Sequence, residues 1–326
     1  MVKNMDRIYL RLLCVFAAVT LAGGCRQDIV EEVSCSVKLD PANTFLAGDP
    51  VRFSISGQPD NILFYSGETG SQYRFKDRFS VPVDQVNSAT LTLDFQGRYG
   101  YAGGLDIYVS DSFAGLKGDD GAADRATVKA LVDGGMAGWT KLDYDEGAST
   151  VWTHQSYDVG SMLENFTLAF HWHPIRDGKS AQRTYWVNGH ISLDMVGSAP
   201  STMPIIDLQP VVVMMNEEVD PYHKNAGNGS IRFDNPTAAP IVFQGAGATV
   251  LDYALDGWVF MTPSSLNKVE NDKGTVIKNL QNWMDKYEYI YTEPGNYTAT
   301  FVCVNENVLG GSEQVRQVRF SVIEKP

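Results

Sequence analysis

The chain has 326 residues, 44% of them hydrophobic and 20% charged, with 39 acidic against 26 basic side chains and a net charge of −13. That excess of acid repels nucleic-acid phosphates and anionic lipid headgroups, so no nucleic acid is expected as a partner and a neutral or cationic ligand fits better. The length exceeds one small domain and suits two.

At the N-terminus, Lys3, Arg7 and Arg11 precede the apolar run Leu12 to Leu21, which ends in Ala22-Gly23-Gly24-Cys25. Basic, apolar and small residues in that order predict a cleaved secretory signal over 1–24, its apolar run too short to span a bilayer. A cysteine directly after the small residues resembles a lipobox, with Ala22 where many lipoboxes carry Leu or Val. The resemblance implies that Cys25 becomes the acylated first residue, that 25–32 is a lipidated tether, and that the chain meets the membrane through its lipid alone. Loss of 1–24 removes three basic residues and Asp6, leaving 23 against 38, a charge of −15. Asp28, Glu31 and Glu32 form an acidic patch behind the lipid. It resembles the surface-export signal of Bacteroidetes lipoproteins, which implies an outer-membrane, cell-surface location. Cys14 leaves with the signal, so Cys35 and Cys303 are the thiols left to an oxidising compartment.

The rest reads as β-structure. Short runs rich in Val, Ile, Phe, Tyr and Thr alternate with polar residues and are broken by Gly, Asn, Asp and Pro. Strands are predicted at Val51 to Ser56, Thr90 to Phe95, Leu105 to Ser110, Phe166 to His173, Tyr185 to Leu193, Tyr297 to Val304 and Val315 to Val322. One short helix is predicted over Ala123 to Val132. The fold class is all-β, built from sandwiches.

Near the start, Gly48-Asp49-Pro50-Val51-Arg52-Phe53 resembles the opening of an immunoglobulin-like domain of the PKD type. Near the end, Tyr289-Ile290-Tyr291-Thr292-Glu293-Pro294-Gly295-Asn296-Tyr297 resembles its closing strands. More than 200 residues separate the two, far more than a sandwich loop. An inserted domain is therefore expected, with 33–77 plus 255–326 as the split immunoglobulin-like domain and 78–254 as the insert. Within the insert, Leu105 to Ser110, Trp139-Thr140-Lys141-Leu142, Phe166-Thr167-Leu168-Ala169-Phe170 and Tyr185 to Gly189 resemble a galactose-binding-like jelly roll.

As a whole the chain resembles a family of Bacteroidetes surface lipoproteins of unknown function. The match is carried by Gly48 to Phe53, Phe64-Tyr65-Ser66-Gly67-Glu68, Trp258, Asp272, Gly274, Ile277-Lys278-Asn279, Tyr289, Tyr291, Pro294, Gly295 and Tyr297. Such proteins look like accessories of outer-membrane glycan-import loci beside SusC- and SusD-like partners. This implies capture of a neutral oligosaccharide or polysaccharide, on analogy that does not by itself fix function.

Hydrolytic motifs such as G-x-S-x-G and H-E-x-x-H are missing, and no enzyme is expected. A glycoside hydrolase stays as an alternative because its two carboxylates need no local motif. A structural or adhesion subunit is the other alternative. For binding, Trp186, Asn188 and His190 share one side of a strand if Tyr185 and Val187 face inward. A bulge near Asn188-Gly189 would reverse that and bury Trp186. Trp139 and Trp152 fit core positions. Tyr99 and Tyr101 lie in a Gly-rich loop, where binding residues gather. His171 and His173 lie two apart on one side of a strand. That spacing can chelate a metal, but the sequence supplies no carboxylate or thiolate at a set distance, so an exposed pair is expected, adding to the Trp186 surface if the strands are neighbours. No cofactor is assigned; calcium is the one ion considered, at Asp119, Asp120 and Asp124, which equally suit a helix cap. Alternation points Cys35 and Cys303 into the core of one domain, where inert thiols and a disulfide both remain open, since a bridge requires Cα atoms within about 7 Å.

Overall fold

The computed structural model describes residues 31–39, 44–177, 180–216, 229–233, 240–248, 254–308 and 310–326. The signal and Cys25 lie outside these. Among the described residues no helix is long and apolar enough to cross a membrane.

The strands, in chain order, are β1 (Cys35–Leu39), β2 (Thr44–Leu46), β3 (Pro50–Gly57), β4 (Asn61–Tyr65), β5 (Val86–Arg98), β6 (Leu105–Ser110), β7 (Thr140–Leu142), β8 (Trp152–Asp158), β9 (Thr167–Trp172) and β10 (Thr184–Met195). They continue as β11 (Ser201–Pro204), β12 (Pro210–Met214), β13 (Ser230–Arg232), β14 (Ile241–Gln244), β15 (Gly257–Met261), β16 (Thr275–Lys278), β17 (Lys286–Ile290), β18 (Gly295–Asn307) and β19 (Gly310–Ile323). A helix, α1 (Gly121–Asp133), stands between β6 and β7. Among the described residues the fold is all-β apart from this helix and a few single 3₁₀ turns.

Two compact units divide the chain: one takes Met1–Arg78 with Asn271–Pro326, the other Phe79–Glu270. The first is an immunoglobulin-like sandwich. One sheet runs β1-β3-β17, the other β16-β4-β18-β19-β2, closed by a parallel β19–β2 pair. Alternation in β3 sends Val51, Phe53 and Ile55 inward, where Phe53 packs edge-on against Phe301 and Phe320. Cys35 and Cys303 are joined by a disulfide between the two sheets, which decides the alternative the sequence left open.

The second unit is the jelly-roll sandwich. One sheet runs β13-β14-β10-β5-β8 with β11 beside β10, and the other β12-β15-β9-β6-β7. Leu91, Leu93, Phe95, Tyr185, Val187 and Ile191 from the first sheet meet Ile107, Leu168, Phe170 and Trp172 from the second in one core. Burial of such side chains, at about 25 cal/mol per Å² of apolar surface, is what holds the sheets face to face. A smaller core lies outside the second sheet, where Val128 of α1 joins Phe113, Val213, Trp258 and Phe260.

The second boundary falls at 270/271 rather than 254/255. The reason is β15, Gly-Trp-Val-Phe-Met, buried at every position and paired with both β12 and β9. A strand covered on both faces does not alternate, so it carried no sign of which domain it completes.

Candidate functional site

The outer face of the β13-β14-β10-β5-β8 sheet gathers three of the seven expected binding residues, Trp186, Asn188 and His190. In β10 every odd residue from Tyr185 to Met195 is buried, while Trp186, Asn188, His190, Ser192 and Asp194 are partly exposed on the other side. The β10–β5 register runs unbroken from Thr184 to Asp194, and shifts only at Asp194/Met195. No bulge at Asn188-Gly189 turns Trp186 inward. Gly189 is needed there for another reason: a Cβ would come within 2.8 Å of the Thr92 backbone carbonyl.

Residues directly opposite on neighbouring strands share a face. Trp186 stands opposite Gln96, and Gln96 opposite Trp152; Asn188 stands opposite Asp94, and Asp94 opposite His154. Two indoles thus flank β5 on one side of the sheet, about 10 Å apart by strand spacing. This corrects the expectation that Trp152 belongs to the core: β8 pairs so that Thr153, Gln155 and Tyr157 take the inward positions, and Trp152 is half-buried on the outer face. Trp139, half-buried, packs on Phe113 and Phe260 in the smaller core outside the second sheet rather than between the sheets.

The face is held by its own hydrogen bonds. Gln96, only 4% exposed, donates from Nε2 to the Thr150 carbonyl at 2.9 Å and accepts at Oε1 from Arg98 Nε at 2.8 Å. Arg98 in turn lies over the Trp186 ring, 4.0 Å from its centroid. Below this, His154 Nδ1 and Asp94 Oδ1 are 2.6 Å apart, and the Thr92 and Ser156 hydroxyls 3.3 Å apart. Asn188 spends its Oδ1 on the Gly189 N–H, and the His190 ring has no hydrogen-bond partner among the described residues.

Tyr99 and Tyr101 follow directly on Arg98, 62% and 54% exposed. Their loop is fixed from beneath. The Arg183 guanidinium donates to the Tyr99 carbonyl at 3.4 Å and pairs with Glu146 at 2.9 Å, both side chains nearly buried. Glu146 also accepts the Gly103 N–H and the Tyr185 hydroxyl. Gly100, at φ +51°, lies so close to Ala181 that a side chain would meet its carbonyl at 2.6 Å.

His171 and His173 do not extend this surface. β9 lies in the other sheet, between β15 and β6, so both rings project from the opposite side of the unit. There they meet a carboxylate the sequence left unassigned: Asp106 stands opposite His171 in the β6–β9 register, with Oδ2 at 3.2 Å from His173 Nε2. Burial works to raise the Asp106 pKa, but Lys141 at 2.8 Å, with His173, outweighs it and holds the carboxyl below its ordinary value. Asp256 reaches His171 Nε2 at 3.0 Å, and His171 stacks on Trp258, ring centroids 4.0 Å apart. Register, which no local pattern reveals, is what brought Asp106, Arg98, Gln96 and His154 to these places.

Of the calcium candidates, Asp124 and Asp120 carry hydrogen bonds of their own. Asp124 accepts the Lys117 and Gly118 N–H groups at 2.8 and 2.9 Å, and Asp120 caps α1 through the Ala123 N–H at 3.0 Å. Asp119 is exposed beside them. For Asp124 and Asp120 Oδ1 this is turn and cap chemistry, and Asp120 Oδ2 pairs with Lys117 Nζ at 3.2 Å.

Residues 24–131, about a third of the chain, match the family model of a domain of unknown function, DUF5017. No curated protein matches. Among solved structures, the chain aligns with trypsin activated alpha-2-macroglobulin from Escherichia coli at 12% identity, over 92% of this chain and 18% of that one, with a TM-score of 0.08. A score that low carries no likeness of fold, and this chain spans less than a fifth of that protein's length.

Proposed function

We propose that this protein is a lipid-anchored, cell-surface component of the outer membrane that binds a neutral oligosaccharide or polysaccharide on the Trp186 face. In this reading it serves a glycan-uptake system, beside SusC- and SusD-like proteins, without catalysing a reaction. The observation that carries the reading is the Arg98–Trp186 stack on an open polar sheet, with Trp152 across β5. Sugar rings stack on aromatic faces while their hydroxyls seek donors and acceptors, and two and four residues on stand Asn188, with its Nδ2 as donor, and the His190 ring. Arg98 takes one face of the indole and fixes the ring, which lowers the ordering cost of binding. The chain's acidity favours an uncharged glycan over a polyanion.

A second reading, a structural or adhesion subunit, is favoured by Leu280 and Trp283, 70% and 73% exposed in the immunoglobulin-like unit, as a place for protein contact.

A neutral-glycan array with the full chain tests the first reading, followed by titration of the best ligand against Trp186→Ala and Trp152→Ala. Trp186→Ala is expected to weaken binding at least tenfold, about 1.4 kcal/mol, with the melting temperature nearly unchanged. An empty array, or an affinity indifferent to both substitutions, would overturn it, and release of new reducing ends would overturn its non-catalytic part. Cys25→Ala should abolish lipid labelling and membrane association; labelling that persists would remove the anchor.

A further inference from the structure

On the side of the second unit opposite the Trp186 face, Asp106, His171 and His173 each offer one donor atom, all within 4.8 Å of one another. We propose that these three residues form a binding site for a divalent transition-metal ion of the zinc class, with Asp256 orienting His171 and Lys141 orienting Asp106.

The sheet builds the donor set. His171 in β9 faces Asp106 across the β6–β9 pair, and His173, one residue past the strand, is held beside it by its N–H donating to the Gly104 carbonyl at 2.8 Å. Cross-strand neighbours such as Asp106 and His171 hold their Cβ atoms roughly 5 Å apart, on two adjacent strands of a packed sheet. Two ligands bound tetrahedrally to zinc, each about 2.0–2.2 Å from it, are themselves about 3.4 Å apart. His173 Nε2 and Asp106 Oδ2, at 3.2 Å, already stand at that separation.

The groups around the donors fit an ion as well. A carboxylate oxygen accepts, so Asp256 draws the proton of His171 to Nε2 and leaves the lone pair on Nδ1. A carboxylate behind a ligating imidazole is the usual way a protein sets ring tautomer and raises ligand basicity. Trp258, stacked on His171 with an interplanar angle of 8°, prevents the ring from turning. Lys141 engages Oδ1 of Asp106, so Oδ2, which faces His173 Nε2 and accepts a long 3.5 Å bond from the Tyr108 hydroxyl, is the oxygen turned to the ion. Asp106 and Asp256 carry two negative charges against one positive on Lys141, so a dication is compensated rather than repelled.

The donor chemistry selects the ion. Two imidazoles exclude calcium and magnesium, which take oxygen ligands. Two imidazoles and one carboxylate with a position open to water are a usual ligand set for zinc, which has no redox chemistry. All three ligand residues are partly exposed, so water completes the coordination and the ion exchanges with solvent.

The test uses the full chain with its free thiols alkylated and metal removed by chelator, titrated with zinc near neutral pH. One equivalent should bind with a Kd of roughly 10 μM or tighter. His173→Gln and Asp106→Asn should each weaken it at least tenfold, and Asp256→Asn about tenfold through His171 alone. Cobalt bound in place of zinc should give the visible spectrum of a nitrogen–oxygen site, lost in His173→Gln. Absence of a one-equivalent site in the wild-type chain, or binding that neither His173→Gln nor Asp106→Asn alters, would overturn the proposal. Wild-type binding is read first, so a variant that fails to fold leaves the test intact.

Discussion

Cys35 on β1 and Cys303 on β18 are joined through the core of the immunoglobulin-like unit, their Cα atoms 6.4 Å apart and 268 positions apart in sequence. The bond staples the two sheets and ties the ends of the chain around everything inserted between them. Loop-closure entropy puts its contribution at roughly 4 to 6 kcal/mol, the lower value if the inserted unit stays folded and shortens the free loop. Reduction, or Cys303→Ser, should therefore lower the melting of this unit by many degrees and leave the inserted unit nearly where it was. Calorimetry with and without reductant separates the two, and equal losses in both transitions would contradict the division into units.

The Arg183–Glu146 pair should behave as a buried ion pair. Removing one partner leaves the other charge uncompensated, at a cost of about 3 to 5 kcal/mol. Glu146→Gln should destabilise the inserted unit by that order. It should also free the Tyr99–Tyr101 loop, since Arg183 reaches the Tyr99 carbonyl from the same position. Hydrogen exchange of the Tyr99–Gly104 amides reads the second effect. Protection unchanged in Glu146→Gln would mean that the loop is held by other contacts.

Alkaline pH should unfold the protein through its tyrosines. Burial, with Glu146 nearby, raises the pKa of Tyr144 and Tyr185 far above 10, and burial beside Glu68 does the same for Tyr291. Tyr289, desolvated and donating to Glu68, is pushed up to about 12. Above pH 10 the unfolded chain sheds these protons while the folded chain keeps them. The unfolded state then binds fewer protons, so stability falls as pH rises. The melting temperature should hold from neutrality to about pH 9.5 and drop steeply beyond. Tyr291→Phe should flatten part of that drop while costing stability at neutral pH, because the hydroxyl donates to the Ser66 carbonyl. A flat alkaline profile in the wild-type chain would refute the assignment.

Alternation made much of this architecture legible. Leu105 to Ser110 is a strand over those residues, and Trp186 lies on the outward side that Tyr185 and Val187 imply by being buried. The helix runs over Gly121–Asp133, around the predicted core Ala123 to Val132. What stayed hidden depends on which strand lies beside which. The disulfide required β1 and β18 to face each other, the place of Trp152 required the β5–β8 register, and the Asp106–His171–His173 cluster required β6 beside β9. β15 hid its allegiance because it is apolar throughout. Period-2 patterning reports the face of a residue, and long-range pairing decides its neighbours.

Gln96 supplies the sharpest test of how the Trp186 face is prepared. It is buried, out of reach of a ligand above the sheet, yet it holds Arg98 by Oε1 and the Thr150 carbonyl by Nε2. Gln96→Leu keeps most of the volume and removes both bonds. The unsatisfied Thr150 carbonyl should cost about 1 to 3 kcal/mol in stability. Arg98, freed from its partner, should leave the indole, worth about 0.5 to 2 kcal/mol as a cation–π contact. Near-ultraviolet circular dichroism should then change, and glycan affinity should fall several-fold although no contacting residue has been altered. Gln96→Glu separates the two bonds: the carboxylate still accepts from Arg98 and cannot donate to Thr150. It should lose stability while keeping the Trp186 signal and most of the affinity. If both variants lose affinity equally, the stack is a bystander and only the general stability of the sheet matters. If Gln96→Leu alone loses it, Arg98 is the residue that sets the indole for its ligand.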